Sequence, residues 1–434
     1  MMTVRTYKHI LTILIAFLII GGVQSTRAQD LKEAPRFSKP TNITNPFFPI
    51  SAMSRTISLG KRDNINIRIE VTLLSENRSI EWAGGEVEAV TAQFLEYADG
   101  KLIEVAYDYF AQSDDGSVYY LGEDVTNYEN GAITNHEGSW LTGRDGAPPA
   151  LIMPAKPEVG QVFNSENLPG IVYETDKVIS LTQETTTPLG SIADGLLVQE
   201  TLMDGSVESK VYVKGFGIVE EREGNEQVNL ALFIKSETAA GTVPEPLQTI
   251  EAQAEDIIDI VPEGNWTQIA SDVDTIAKAW KTYQSSSSEN AIPQAFYDAF
   301  ITAFTHLTQV SKAKNTKNTL QSANNVSAAI VDLFTTYNPA IPIDLGWLDV
   351  IERQTVLDAS TNQLSAATDS IAKANAIWVR LRPSVLSHNG TNVALQFEVN
   401  LYAQRTALIA KNSSNLLENA NSALEIVDSL EQLY

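Results

Sequence analysis

Asp114-Asp115, ahead of Gly116, and Glu123-Asp124 are the most compact set of oxygen ligands the chain offers. Hard cations such as calcium are held by carboxylate and carbonyl oxygens, so these four acids are the candidate metal ligands. Their spacing is not that of a calcium loop, where alternating acids lead to a glycine and end at a distant Glu. Asp before Gly is also a turn-forming pair in its own right. Around the acids lie Tyr109, Tyr119, Tyr120 and Trp140, with Trp82 upstream. Aromatic rings in strands usually fill cores because they pack well on a pleated surface. This group is nonetheless the candidate ligand-binding surface.

Other chemistry is scarce. The chain has 4 His and no Cys, which removes thiol catalysis, zinc-thiolate sites and disulfides. His306 and His388 have no acid three or four positions away, and no Glu-x-x-His pair exists for a di-metal bundle site. Gly-x-Ser-x-Gly, phosphate-loop and dinucleotide signatures are absent. A glycosidase needs two poised carboxylates, and nothing in the sequence singles out one pair among so many. Catalysis is therefore not expected, and no cofactor is implied.

The elements that must position these residues change character near residues 236–250. Upstream, apolar and polar residues alternate, as in Val207-Glu208-Ser209-Lys210-Val211-Tyr212-Val213, which predicts half-buried strands. Strands are expected at 66–73, 87–98, 101–111, 117–123, 132–140, 172–183, 195–202, 207–214 and 227–235. Asp99-Gly100, Asp115-Gly116, Asn130-Gly131, Asp145-Gly146, Asp194-Gly195 and Asp204-Gly205 are hairpin-turn candidates. Together they predict an antiparallel meander, strongly curved or closing into an open barrel. Downstream, apolar residues recur every three or four positions, as in Trp266, Ile269, Val273, Ile276 and Trp280. Further series run through Phe296–Val310, Leu320–Tyr337, Leu357–Leu381, Leu395-Val399-Tyr402-Ile409 and Leu416–Leu430. Each predicts one buried stripe on a helix, and together they predict an antiparallel bundle of five or six helices. Asp272, Asp274, Asp349 and Glu352 read as solvated faces, and Arg353 and Asp358 as a pair across the bundle. The fold class is α+β, multidomain.

The segment Asp108-Tyr109-Phe110-Ala111-Gln112, Asp115-Gly116-Ser117-Val118-Tyr119-Tyr120 and Gly122-Glu123-Asp124 resembles a family of uncharacterised bacterial secreted proteins and lipoproteins. The likeness continues through Tyr128-Glu129-Asn130-Gly131, Gly138-Ser139-Trp140 and Ile152-Met153-Pro154-Ala155. It covers about half the chain and implies export but no activity. Those proteins often carry a lipid-attachment cysteine; this chain has none, so anchoring is not implied. Tyr212–Val219 is similar, in architecture alone, to the late strands of periplasmic half-barrels that hold lipids or lipoproteins, and fold does not imply function.

The N-terminus carries Arg5 and Lys8, an apolar run from Ile10 to Val23, and Thr26-Arg27-Ala28, the layout of a cleaved export signal. The expected organisation is a signal at 1–28, a polar tether at 29–49, a β domain at 50–236, a linker at 237–246 and a helical domain at 247–434. Within the tether, Asn45-Pro46-Phe47-Phe48-Pro49 is expected to dock on the first sheet. The formal charge of −24 opposes binding to nucleic acid or anionic lipid. No transmembrane segment is expected in the mature chain. The functional expectation is a non-catalytic periplasmic or extracellular binding or scaffolding protein, offering its curved sheet to a hydrophobic ligand or a protein partner of the cell envelope. A calcium- or iron-binding protein is the alternative, and a hydrolase with an unrecognised carboxylate site a third reading. Any site is expected in the β half or at the cleft between the halves.

Overall fold

Alternation upstream and three-to-four spacing downstream produce one large sheet followed by helices. The computed structural model describes residues 34–286 and 292–434. The expected signal, the start of the tether and part of the breaker at Ser285–Glu289 lie outside the described residues.

The strands are β1 (Met53–Arg62), β2 (Ile65–Leu73), β3 (Arg78–Trp82), β4 (Gly85–Ala98), β5 (Lys101–Gln112), β6 (Val118–Glu129), β7 (Ala132–Asn135), β8 (Trp140–Leu141), β9 (Ala150–Met153), β10 (Val162–Leu168), β11 (Val172–Thr187), β12 (Gly190–Thr201), β13 (Val207–Val213), β14 (Gly217–Glu223) and β15 (Glu226–Lys235). They form an open 15-stranded sheet whose main path runs β10-β11-β12-β13-β14-β15-β1-β2-β4-β5-β6-β7, with β3 on β4 and β8 and β9 on β6. Neighbours in sequence pair almost throughout. Along the main path the departures are β2, which pairs with β4, and β1, which inserts beside β15, so the first and last strands lie together at the centre of the path.

Asp99-Gly100 and Asn130-Gly131 both hold positive φ and close hairpins. Asp194-Gly195 does not. Gly195 lies inside β12, where a Cβ would come within 2.7 Å of Val211 and 2.9 Å of the Gln183 carbonyl. Close strand approach, rather than a turn, requires that glycine, and the turn is made at 188–189 instead. Asp145-Gly146 belongs to a short 3-10 turn, Arg144–Gly146. The expected strand over 132–140 breaks into β7 and β8 around Gly138, at φ 96°.

One face of the sheet curls inward. A single apolar cluster takes Val90 and Ala92 of β4, Phe110 of β5, Tyr120 of β6, Phe163 of β10, Val178 of β11, Leu196 and Val198 of β12 and Tyr212 of β13. Strands from opposite ends of the sheet can share a core only if the sheet wraps around it. The lead before β1 plugs this interior. Ile43, Phe47 and Ile50 join the cluster, Phe48 meets Phe110 edge-on, and the Asn45 amide donates to the carbonyls of Gly116 and Pro154.

Eight helices follow among the described residues: α1 (Glu245–Ile260), α2 (Trp266–Ser286), α3 (Gln294–Lys312), α4 (Thr316–Thr335), α5 (Ile343–Ser360), α6 (Leu364–Ser387), α7 (Thr391–Ile409) and α8 (Ser413–Glu431). This exceeds the expected five or six. The series from Leu357 to Leu381 spans two helices, broken at Asn362 with φ 56°. Two groups of four emerge, α1–α4 around one core and α5–α8 around another. They repeat a detail. Lys314 and Lys411 both take left-handed φ, of 53° and 52°, and Asn315 and Asn412 then cap α4 and α8 by accepting from the backbone N–H three residues on.

Four expectations for the helices are overturned. Asp272 is buried and bonded by Gln268, and Glu352 is wholly buried, accepting from Gln404 Nε2 at 2.9 Å. Burial pushes the Glu352 carboxyl up to about 8. Arg353 pairs with Glu255 and Asp349, while Asp358 accepts from Gln354. On α7 the predicted stripe faces solvent: Leu395, Val399, Tyr402 and Ile409 are exposed, while Phe397, Leu401, Gln404 and Ala407 face the core.

The helices cover the outer face of β1, β2, β4 and β5 through a buried ionic seam. Arg380 of α6 donates to Asp344 of α5 at 2.8 Å and to Glu70 of β2 at 3.0 Å. Arg55 of β1 donates to both Asp344 oxygens, and Arg68 of β2 bridges Glu70 and Asp332 of α4. The Gln93 amide adds a bond to the Ala376 carbonyl. The β6–β7 turn abuts α6, since a Cβ on Gly131 would fall 2.2 Å from the Asp369 backbone nitrogen.

Removing one partner of a buried pair leaves an uncompensated charge. Arg380→Ala is therefore expected to destabilise the protein by about 3–5 kcal/mol, measured by urea unfolding. Arg382→Ala breaks only the exposed pair with Glu398 and should cost less than about 1 kcal/mol.

Candidate functional site

Inside the curl, apolar residues give way to acids at one end. β-strand alternation places Asp108 of β5, Glu123 of β6, Glu166 of β10, Glu174 and Asp176 of β11 and Glu200 of β12 around a common interior, with Lys210 of β13 as the cation among them. Lys210 Nζ lies 2.5 Å from Glu200. Glu123 and Glu166, from strands far apart in the sheet, come close enough to shift each other's titration. Glu200 lies directly across from Asp176 in the β11–β12 ladder. The Tyr120 hydroxyl donates to Asp108 at 2.8 Å, and the Ser165 backbone N–H donates to Asp176 at 3.1 Å. Asp176 and Glu200 are buried, whereas Asp108, Glu123, Glu166, Glu174 and Lys210 keep partial contact with solvent. The acids therefore form a mouth rather than a sealed core.

Carboxyls enclosed together hold protons. Burial, then the charges of Asp108 and Glu166, raises Glu123 well above the carboxylate range. Burial lifts Asp108 and Glu166 to about 7, and burial with Glu200 lifts Asp176 to about 7. Glu174 is pushed up to about 9 by burial and the charges of Glu166 and Glu200. Glu200 moves the other way: against its burial, the Lys210 ammonium holds it below the usual range. Farther along the same face, Arg62 pairs with Glu96 at 2.5 Å, and burial with the Glu96 charge raises Glu104 to about 8.

The sequence-predicted residues divide between two faces. Tyr120 and Trp140 lie in the inner core, ring to ring at 5.4 Å, while Tyr109 and Tyr119 pack in a separate cluster with Ile80, Val87 and Leu121. Of the four candidate metal ligands, Glu123 alone enters the acidic mouth. Asp114 accepts from the Ser38 backbone and hydroxyl, and Asp115 shapes the turn through Ser113 and Ser117. Asp124 pairs with Arg78 and accepts from the Tyr109 hydroxyl. Asp108, Glu166, Glu174, Asp176, Glu200 and Lys210 were not singled out from sequence. Their signal was acids in phase with core positions: Glu174 and Asp176 alternate in step with the buried Val172 and Val178.

Two other places bring charged side chains together. A cleft of about 220 Å³ lies where the halves meet, lined by Arg55, Thr72, Pro339, Pro342 and Asp344, but its charged walls are spent on each other. Glu251, Glu255 and Asp349 bring oxygens within 4.8 Å of one another, yet the Arg353 guanidinium already pairs with Glu255 and Asp349. Among the described residues, no helix is long and apolar enough to cross a membrane.

Comparison with known proteins returns no matching family model, no matching curated protein and no matching solved structure.

The raised carboxyls set a pH dependence. The folded state keeps protons that the unfolded chain releases above about pH 4, so stability falls as pH rises from there through the raised values of about 7 to 9. Glu70 acts oppositely: despite burial, Arg68 and Arg380 hold it at about 2, and Arg380 and Arg55 likewise lower Asp344. Their contribution is lost as pH falls from about 4 towards 2. Asp332, raised by burial beside Glu70, adds nothing to that acid limb. Thermal melts should peak in mildly acidic buffer and decline towards pH 9, and Glu174→Gln should flatten the alkaline decline. A melting temperature rising from pH 6 to 9 contradicts this assignment.

Proposed function

We propose that this is an exported, non-catalytic binding and scaffolding protein whose acidic mouth receives a cationic amine, either on a small ligand or on a lysine of a protein partner. The observation carrying this reading is the convergence of six carboxylates from five strands on one half-open interior, with Lys210 already seated against Glu200. That internal ion pair is a template for what these side chains do with an ammonium: charge-assisted hydrogen bonds in a low-dielectric setting. A hydrophobic ligand finds less support, because Ile43, Phe47 and Ile50 of the lead fill the apolar end of the curl. A bare calcium or iron ion is also less well supported, because the acids of the mouth are not gathered at coordination spacing, which among the described residues only Glu251, Glu255 and Asp349 reach.

Export rests on the basic-then-apolar start of the chain and on the resemblance to secreted proteins. The helical half acts as the support that braces the outer face of the sheet.

Proton release and amine binding are coupled in this reading. A primary diamine such as cadaverine should raise the melting temperature at pH 8 and have little effect at pH 5, where the mouth is protonated. Glu123→Gln combined with Glu174→Gln should abolish the shift. Stabilisation by calcium but not by the diamine favours the metal reading, and no shift with either removes the cation-binding proposal.

A further inference from the structure

We propose that the outer face of α7 is a self-association surface on which a second copy of this chain docks antiparallel, helix against helix. Leu395, Val399, Tyr402, Thr406 and Ile409 follow one another at steps of four, three, four and three and all face solvent. Leu395 is 59 %, Val399 60 %, Tyr402 73 % and Ile409 85 % exposed. That spacing is the seam of a coiled coil, which stays on one side of a helix only if another helix covers it.

The molecule contains its own control. The shared Ala-Lys-Asn connections align α3–α4 with α7–α8, so that Asn315 matches Asn412. On α3 the positions matching the stripe are Asp298, Thr302, Thr305, Gln309 and Lys312, every one exposed and polar. The same site on the same architecture therefore carries an ordinary solvated face in one copy of the repeat and an apolar seam in the other. Packing within the chain does not account for the difference, since the buried side of α7 is built from Phe397, Leu401, Gln404 and Ala407.

Charge selects the occupant. In a chain of formal charge −24, the stripe carries no acid, and its flanks carry Glu398 and Arg405, one heptad apart. In an antiparallel pair about a two-fold axis beside Asn400 and Leu401, Val399 meets Tyr402 of the second copy and Leu395 meets Thr406. In the same register Arg405 of the second copy lies two residues, about 3 Å along the axis, from the position facing Glu398 and on the same flank of the seam, twice by symmetry. An isologous contact must be self-complementary in this way. Glu398 uses one oxygen for Arg382 and Trp378 and leaves the other open, and Arg405 is exposed. A 19-residue helix is about 28 Å long, so the contact lies at the small end of stable interfaces and a micromolar dimer is expected.

Sedimentation equilibrium of the purified protein over roughly 1 to 300 µM tests this, a range chosen for a small interface. A monomer–dimer equilibrium is expected. Val399→Asp with Tyr402→Asp should leave a monomer at every concentration, with circular dichroism and melting of the dilute protein unchanged because both side chains are exposed. Arg405→Glu should weaken the dimer at low salt by at least tenfold, and adding Glu398→Arg should restore it. A wild-type monomer throughout the range overturns the proposal. So does a dimer that the stripe substitutions leave intact.

Discussion

Three guanidinium groups and three carboxylates, locked between the sheet and the helices, set the arrangement on which everything else in this molecule depends. Arg380 reaches out of α6 to Glu70 and Asp344 with a side chain that is 2 % exposed, and Arg55 and Arg68 reach back from the sheet to Asp344 and Asp332. The network is formally neutral, so no charge is stranded. Buried ion pairs contribute modestly to net stability because desolvation offsets their attraction. Their greater effect is on alternatives: any other docking of helices on sheet leaves at least one of these ions unpaired in a dry environment. The two halves therefore meet through buried ion pairs as well as through the connecting chain.

With its outer face so occupied, the sheet has only its inner face left, and it divides that face by polarity. At one end the chain's own lead, from Ile43 to Met53, fills the curl with apolar side chains. At the other, acids from distant strands are forced together. Mutual repulsion in a confined space is relieved by holding protons, so Glu123, Glu166 and Glu174 give theirs up at higher pH than surface carboxylates do. Such an arrangement works against stability at neutral and alkaline pH, and strain of this kind concentrates at functional positions. Lys210 relieves part of it from within the chain, which is why an external ammonium is a reasonable guest.

The helical half tells a complementary story. Its two groups of four repeat the same connection and the same asparagine cap, yet they diverge on a single exposed face, polar on α3 and apolar on α7. Neither core requires that divergence. Glu352, enclosed beside Gln404 and bonded by its amide, is raised to about 8 by burial, so the interior of the second group also holds a buried carboxyl.

Local chemistry alone determined a good deal of this protein. Alternation identified most strands, Asp99-Gly100 and Asn130-Gly131 marked true hairpins because both residues must take positive φ, and three-to-four spacing identified the helices. These are properties of neighbouring residues, and neighbouring residues suffice to read them. What periodicity could not decide was which side of an element the rest of the molecule would cover. The α7 stripe has the spacing of a buried face and lies in solvent, because Phe397 and Leu401 on the other side meet α6 and α8 first. Gly195 looked like a turn and is a close crossing with β13. The acidic mouth was hidden for the same reason. Glu123 and Glu166 lie on strands that become neighbours only when the sheet curls, and carboxyls shift each other's titration only through that proximity. Sequence indicated the change from strands to helices and most of the elements; three-dimensional packing alone decided which polar groups would be shut in together and which apolar ones left out.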